Sequence, residues 1–240
     1  MPAVFCSGNL TQTGAAVQSF GQSALIKLVG GIFFAVITAL VLSGGARRIG
    51  SFTGKIVPFM ALLYLLMTLG IIGVNFSRLP AAFSMIIKGA FKPSAVTGGA
   101  VGSLSAAVLT GASRGVFSNE AGLGTSAMAH SSSAYTDGAR QGLFGIFEVF
   151  VDTIVICPLT ALSMLCSGVG IEYGKGASTE LICSAFSTLY GKYSVVLLAV
   201  MMCLFGLSSV IGWGYYGIVS CNFLFGKTGK RLFLLLYPLF

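Results

Sequence analysis

The sequence predicts an all-α, polytopic membrane protein, and three of its features point to that fold class. Of 240 residues, 55% are hydrophobic and only 8% are charged, whereas soluble domains carry roughly 25% charged residues. The apolar residues form long blocks instead of alternating with polar ones. Each block has about 20 residues or more, enough for a helix to cross roughly 30 Å of hydrocarbon. A transmembrane barrel needs short segments of alternating polarity, so a helix bundle is favoured.

The blocks predict a single transmembrane domain over all 240 residues. A polar stretch at 6–23 is expected to be a loop ahead of the first span. Span two is expected to begin near Ile56 with Pro58 in its first turn, where a missing N–H costs little. The apolar piece between Pro80 and Pro93 is too short to span and is expected to lie at the membrane interface. The predicted spans are 24–43, 56–76, a broken helix over 95–133, 142–168 and 193–225, with the start of another at 232.

The net charge of +8 raises the question of a nucleic-acid partner, but the distribution of the charges argues against one. The 14 Lys and Arg residues are scattered and form no basic stripe with interleaved aromatic residues. Basic residues in three alternate connections favour a cytoplasmic location for those connections. These residues are Arg47, Arg48, Lys55, Arg140, Lys227, Lys230 and Arg231. The other side still holds six basic residues, so charge alone does not decide the orientation, and the expected partner is the lipid bilayer.

The pattern of reactive side chains favours neither an enzyme nor a protein with a cofactor. The six Cys residues include no CxxC pair, and His130 is the one histidine, so a zinc or iron site has little support. The glycine-containing run 115–124 lacks the Lys and Ser/Thr of a phosphate-binding loop. No nucleophile paired with a base is found in the spans. The sequence therefore predicts no enzyme and no cofactor.

Small and polar residues fill the predicted broken helix. Arg114, Asn119 and Glu120 lie close together among several glycines, so a continuous helix would lose about 1 kcal/mol for each glycine and hold charges at membrane depth. An unwound segment avoids both costs. Unwound backbone in a bilayer lines a cavity or is buried in protein, and transporters use it to bind substrates and ions. Gly98 and Gly102, in a GxxxG spacing, favour close helix packing instead.

The span 142–168 carries two carboxylates, Glu148 and Asp152, one α-helical turn apart. By helix rise, Asp152 lies about 15 Å into the membrane and Glu148 about 9 Å. An ionised carboxylate facing lipid at such depths costs on the order of 3 kcal/mol, so both are expected to face the bundle interior. A location of Glu148 at the interface is the alternative. Pro158 is expected to kink the helix beyond Asp152.

The span 193–225 carries Ser208 and Ser209 at its middle and the only tryptophan, Trp213, just beyond them. In a structural interpretation the hydroxyls bond to carbonyls of their own helix, and Trp213 is an interfacial anchor. In a functional interpretation the two hydroxyls are oxygen ligands of a hard cation such as sodium. Trp213 would then form the wall of a pocket, because it lies at i+4 from Ser209 on the same face.

The run at 114–124, RGVFSNEAGLG, resembles the alanine/glycine:cation symporter family, whose members carry a closely similar sequence. The resemblance extends to 8–12, 89–93, 149–155 and 211–217, so it covers nearly the whole chain. Pro158 and Ser209 depart from it, since threonine is expected at both positions. The resemblance implies a LeuT-like fold of the amino acid-polyamine-organocation type with two inverted repeats. This chain would supply core helices four to eight and the start of the ninth.

The resemblance also implies a function: sodium-coupled symport of alanine or glycine across the cell membrane, by a protein of which this chain is a fragment. Sodium would be held by Ser208 and Ser209, with the first core helix, which is expected to be absent from this chain, or Asp152 as the alternatives. Substrate binding is implied for Gly115, Phe117, Ser118, Asn119, Gly122 and Trp213. A gating or structural role is implied for Arg114, Glu120, Glu148 and Asp152. The alternative functions are a truncated, transport-inactive membrane fragment and another cation-coupled transporter of LeuT-like fold.

Overall fold

The computed structural model describes residues 4, 9–21, 23–91, 104–120, 122–133, 135, 137–171 and 179–239. Within these ranges the chain is helical apart from turns and short connections, and no strand occurs. Four stretches of this described part are long and apolar enough to cross a membrane: Ala24–Ser43, Gly45–Val74, Gly138–Ser167 and Tyr193–Leu239. Residues 95–103 of the predicted broken helix, with Gly98 and Gly102, lie outside the described residues.

Ten α-helices lie within the described residues. They are α1 Thr11–Gln18, α2 Ala24–Ser43, α3 Gly45–Val74, α4 Leu79–Phe91, α5 Leu104–Asn119, α6 Thr125–His130, α7 Gly138–Val149, α8 Cys157–Ser167, α9 Thr179–Tyr190 and α10 Tyr193–Leu236. A π-helical segment, Phe150–Ile156, joins α7 to α8. Two compact units contain these helices: unit 1 is residues 1–64, 127–134 and 195–240, and unit 2 is residues 65–126 and 135–194.

Helix α1 occupies the polar N-terminal stretch, so the prediction of a loop throughout 6–23 is wrong. Ala16 and Val17 are buried. Val17 packs closely against Gly30 of α2, and Ala16 against Gly206 of α10. Small residues permit this approach of the backbones, and tertiary packing of this kind stabilises a helix too short to be stable by itself.

Helix α3 begins at Gly45, so the prediction that span two begins near Ile56, with Pro58 in its first turn, is wrong. A single residue separates α3 from α2, and Arg48 Nη1 donates a hydrogen bond to the Leu40 carbonyl oxygen at 2.8 Å. Positive charge is favourable at the C-terminal end of a helix, where carbonyl groups lack intrahelical partners. The apolar block therefore marked the part of α3 suited to the membrane and not the start of the helix.

Helix α10 is interrupted at Gly226, whose φ of 64° and ψ of −156° are not helical. The chain beyond Gly226 folds back along the first part of α10, because the Tyr237 hydroxyl donates to the Val210 carbonyl oxygen at 2.7 Å. The rings of Phe233 and Tyr237 stack with centroids 5.0 Å apart. The last helical piece thus starts directly after the interruption, earlier than the predicted start at 232.

A cluster of buried apolar side chains forms the interior of unit 1. Helices α1, α2 and α3 contribute to it, as do both parts of α10. Its buried members are Val4, Ala16, Val17, Phe34, Val41, Leu42, Ile49, Leu207, Val210, Ile211, Ile218, Cys221, Phe233 and Tyr237. Asn9 is also buried, and its Nδ2 donates to the Tyr237 carbonyl oxygen at 2.8 Å. This bond satisfies a polar group that would otherwise destabilise the interior.

In unit 2, α8 packs against α4 and α9. Arg78, just before α4, donates from Nη1 to the Ser167 carbonyl oxygen at 3.0 Å, which places its charge at the C-terminal end of α8. The Tyr190 hydroxyl of α9 donates to the Met67 carbonyl oxygen at 2.9 Å, and burial raises the pKa of this phenol. Asp137 caps α7 by accepting from the Ala139 amide at 2.9 Å. These bonds fix both ends of the α7–α8 stretch.

Candidate functional site

The helical structure of unit 2 is broken between Asn119, where α5 ends, and Thr125, where α6 begins. Glu120 has a φ of 54°, Gly122 of 82° and Gly124 of 75°. Glycine adopts these left-handed conformations freely, whereas a residue such as Glu rarely does. Non-glycine residues held in such sparsely populated conformations cluster at functional sites.

The break exposes main-chain groups of the last turn of α5. The Glu120 amide donates to the Phe117 carbonyl oxygen at 3.4 Å, and the Leu123 amide to the Glu120 carbonyl oxygen at 3.2 Å. The other carbonyl groups at a helix end lack intrahelical partners and can bind a ligand. We expected released backbone amides and carbonyls near Gly115 to Gly122, but Gly115 lies inside α5. The unwound segment begins four residues later, after Asn119.

A cluster of polar side chains lies beside the break. Ser118 Oγ donates to Asp152 Oδ2 at 2.8 Å, and Asn119 Nδ2 donates to Thr153 Oγ1 at 3.4 Å. Cys157 Sγ lies 3.5 Å from Ser118 Oγ. We name these five residues the polar cluster. Ser118 and Asn119 belong to the end of α5. Asp152 and Thr153 belong to the π-helical segment, and Cys157 is the first residue of α8. The Asp152 carboxylate therefore has polar partners inside an apolar span.

The π-helical segment explains which side chains face α5. In a π-helix the residue at i+5, not i+4, completes the hydrogen-bonded turn, so Cys157 lies above Asp152. Pro158 directly follows, lacks an N–H and crowds the carbonyl group four residues earlier, which favours a wider turn there. We expected Pro158 to kink the helix beyond Asp152; the irregularity instead precedes the proline and includes Asp152. Such π-helical turns are frequent at functional sites.

The two carboxylates of this stretch have different surroundings. Asp152 is half-buried and bonded to Ser118, whereas Glu148 is exposed in α7. The expectation that both carboxylates face the interior therefore does not hold for Glu148. Glu148 belongs to α7, and Asp152 belongs to the π-helical segment that follows it. Asp152 is the carboxylate that the fold brings to the broken helix.

Two members of the polar cluster, Thr153 and Cys157, were not among the predicted site residues. The signal that could have identified them is Pro158, since a proline inside an apolar span changes the directions in which the preceding side chains point. Of the other predicted residues in unit 2, Arg114 and Gly122 are exposed, Glu120 is half-buried, and Phe117 is 60% exposed. The side chains of Arg114 and Phe117 thus do not pack within unit 2.

Ser208, Ser209 and Trp213 belong to the first part of α10 in unit 1, and all three are half-buried. Ser208 Oγ donates to the Phe205 carbonyl oxygen at 2.9 Å, the bond to its own helix that the structural interpretation predicts. A hydroxyl that donates still has oxygen lone pairs for a cation. Trp213 packs against the interior of unit 1 and meets Tyr216 edge-to-face, with ring centroids 5.8 Å apart.

The fold and the polar cluster together define a class of protein. An all-helical membrane protein with a broken helix beside a carboxylate inside an apolar span has the features of a secondary transporter. The family comparison specifies the class further. The model of the sodium:alanine symporter family matches residues 1–239, and the chain belongs to that family. Its members are transporters and not enzymes, and the chain is a multi-pass integral protein of the plasma membrane.

Several curated relatives are similar over most of the chain. The sodium/alanine symporter AgcS of Methanococcus maripaludis is 36% identical, over 99% of this chain and 52% of its own length. The probable sodium/glutamine symporter GlnT of Bacillus subtilis is 33% identical, over 87% and 42%. A sodium/proton-dependent alanine carrier protein of Bacillus sp. PS3 is 30% identical, over 93% and 53%. The chain therefore spans about half the length of the curated relatives it matches.

Proposed function

We propose that this chain takes part in sodium-coupled symport of small neutral amino acids, alanine or glycine, within a LeuT-like helix bundle. The observation that carries the proposal is the bond from Ser118 at the end of α5 to Asp152 in the π-helical segment. It joins the broken helix to a carboxylate in an apolar span, and such breaks are where transporters bind their substrates and coupling ions. The names of the alanine carriers among the relatives support alanine as the substrate.

The substrate in this proposal binds at the broken helix. Free main-chain groups near Gly122 and the last turn of α5 meet the carboxylate and ammonium groups of the amino acid. The side chains of Phe117, Ser118 and Asn119 line the pocket, together with the backbone at Gly115. Trp213 limits the size of the substrate side chain.

The coupling sodium ion has two candidate sites. Ser208 and Ser209 offer a pair of hydroxyl oxygens, which suit a hard cation. The polar cluster offers the Asp152 carboxylate and the hydroxyl oxygens of Ser118 and Thr153, and the carboxylate also balances the charge of the ion. We propose the serine pair as the sodium site and Asp152 as the alternative. Arg114, Glu120 and Glu148 are proposed to have gating or structural roles.

The test is uptake of labelled alanine into proteoliposomes, with and without an inward sodium gradient. The purified chain is assayed beside a full-length member of the family that has the matching residues. We expect sodium-dependent alanine uptake by the full-length protein, with glycine as an effective competitor and glutamine as a poor one. Alanine uptake that is the same with and without the sodium gradient would reject the proposal. Activity of the full-length protein alone would favour the alternative of a transport-inactive fragment.

Asn119→Ala in the same full-length context tests the placement of the substrate. A lost buried polar partner costs about 1.4 kcal/mol or more, so alanine binding should weaken at least tenfold. The matched control is Asn222→Ala, because Asn222 is an exposed residue of α10 outside the polar cluster. Binding measured by scintillation proximity should change less than twofold in the control. Equal affinity in Asn119→Ala and the unmodified protein would remove Asn119 from the pocket.

A further inference from the structure

Charge is distributed very unevenly between the two units. The sequence has six acidic residues, Glu120, Asp137, Glu148, Asp152, Glu172 and Glu180, and all six lie in unit 2. Unit 1 has no Asp or Glu but seven Lys and Arg residues: Lys27, Arg47, Arg48, Lys55, Lys227, Lys230 and Arg231. No carboxylate side chain of unit 1 can therefore neutralise these cations.

Three of these cations, Arg47, Arg48 and Lys55, lie along the start of α3. Arg47, Ser51 and Lys55 succeed one another at four-residue spacing, so they share one helix face, and all three are exposed. The opposite face is fixed by Ile49, which is buried in the interior of unit 1. Along the exposed face runs a crevice of about 590 Å³, to which half-buried Phe52 also contributes. The crevice thus combines positive charge with an apolar wall.

Arg48 is held in position at the end of this crevice. Its side chain lies directly against Gly44, where any Cβ would collide with it. Its Nη1 donates to the Leu40 carbonyl oxygen at 2.8 Å. A guanidinium group has five N–H donors, so the others are left to bind an anion. A guanidinium fixed in this way loses little side-chain entropy on binding, and its fork matches phosphate oxygens.

A second basic segment lies beside the turn between α2 and α3. Lys230, in the part of α10 beyond Gly226, lines a crevice of about 270 Å³ together with Ser43 and Gly45. Lys227 and Arg231 in the same segment are exposed. The fold therefore brings cations that are far apart in sequence to the same end of α2 and α3. We name Arg47, Arg48, Ser51, Lys55 and Lys230 the basic surface.

We propose that the basic surface binds the phosphate headgroup of an anionic phospholipid from the surrounding membrane. Lys55 immediately precedes the apolar block of α3, so the crevice is located where headgroups meet the hydrocarbon. Phosphate oxygens accept hydrogen bonds from Arg48 and balance the charges of Arg47 and Lys55. Phe52 and Ile56 lie in the same crevice and contact the apolar part of the lipid. None of the residues of the basic surface belongs to the proposed substrate and sodium sites.

Lipid binding to the full chain in a neutral detergent tests the proposal, with native mass spectrometry as the readout. Phosphatidylglycerol is titrated against phosphatidylcholine with the same acyl chains. We expect at least a tenfold preference of the unmodified chain for phosphatidylglycerol. Each Lys or Arg near an anionic surface contributes about fivefold, so Arg47→Gln/Lys55→Gln should weaken phosphatidylglycerol binding by about thirtyfold. Arg48 is left unchanged because it also stabilises the end of α2.

Lys27→Gln is the matched control, since Lys27 is an exposed cation of unit 1 at the opposite end of α2. It should change phosphatidylglycerol binding less than twofold. Ser51→Glu provides a second test of the crevice with both cations present, and it should abolish the preference. Retained preference in either crevice variant overturns the proposal, as does an equal loss in the control. Displacement of the lipid by an equal concentration of glycerol 3-phosphate would also overturn it, because the site would then bind a soluble phosphate compound and not a lipid.

Discussion

Asp152 is the residue whose surroundings most constrain the function. Its carboxylate accepts a bond from Ser118 inside a stretch that is long and apolar enough to cross a membrane. A carboxylate at such depth is expensive and is found where a cation, a proton or a hydrogen-bond donor stabilises it. Ser208 and Ser209 offer oxygen atoms without a negative charge. Sodium dependence can therefore separate the two candidate ion sites.

Ser209→Ala and Trp213→Ala should alter transport in different ways. Ser209→Ala removes one of the two proposed sodium ligands, so the sodium concentration for half-maximal alanine uptake should rise several-fold, with substrate preference unchanged. In the proposal Trp213 limits the size of the substrate side chain, so with Trp213→Ala larger neutral amino acids should become substrates with little change in sodium dependence. Both are measured by competition uptake over a range of sodium concentrations. If Ser209→Ala leaves sodium activation untouched while Asp152→Asn shifts it, the ion site belongs to the polar cluster.

At the scale of single elements, α10 depends on close contacts at glycines. The aromatic ring of Phe233 lies directly against Gly217, where any Cβ would collide with it. Gly212, one and a half turns earlier, has open space around the position of a Cβ. Both glycines belong to the run 211–217 that resembles the symporter family. The structure gives Gly217 a packing role, because the Phe233 ring can approach the first part of α10 only where no side chain is in the way.

Gly217→Ala should therefore destabilise the protein, and Gly212→Ala should not. Overpacking in a filled interior costs about 1–3 kcal/mol, whereas alanine in an open helical position is favoured over glycine by roughly 0.5–1 kcal/mol. Thermal unfolding in detergent should show a lower midpoint for Gly217→Ala and an equal or higher one for Gly212→Ala. Phe233→Leu should partly restore Gly217→Ala. A Gly217→Ala midpoint equal to that of the unmodified chain would contradict the tight contact.

At the scale of the whole molecule, the uneven charge also bears on orientation. The basic surface and Lys27 lie towards opposite ends of α2, a helix of 20 residues that is long enough to cross the membrane. Positively charged ends of membrane helices face the cytoplasm more often than the outside. The end with Arg47, Arg48 and Lys55 carries more positive charge than the end with Lys27. We therefore expect the basic surface to face the cytoplasm.

Cysteine labelling tests this orientation. Lys27→Cys should react with a membrane-impermeant maleimide added to intact cells, and Lys55→Cys should react only after permeabilisation. Both positions are exposed, so access to the thiol depends on the side of the membrane. The unmodified chain gives the background from its six native cysteines. The reverse pattern of labelling would mean that the basic surface faces outward.

The sequence by itself determined the class of fold and the family. So few charges and such long apolar blocks leave membrane helices as the stable arrangement, because backbone groups in lipid must be satisfied within the helix. The run 114–124 indicated the family, which the comparison confirms. The glycines and charges of that run also predicted a break in the helix. These properties depend on composition and on neighbours in sequence, so they can be inferred without coordinates.

Only the tertiary structure decided which side chains meet. Helix α1 exists because Ala16 and Val17 pack against distant glycines, which no local pattern specifies. Thr153 and Cys157 lie with Asp152 at the break because a π-helical turn directs their side chains towards it. A prediction that assumes α-helical spacing does not place them there. The basic surface combines residues from α3 and from the far end of α10. Contacts of this kind depend on how the chain folds back on itself, and that information is spread over the whole sequence.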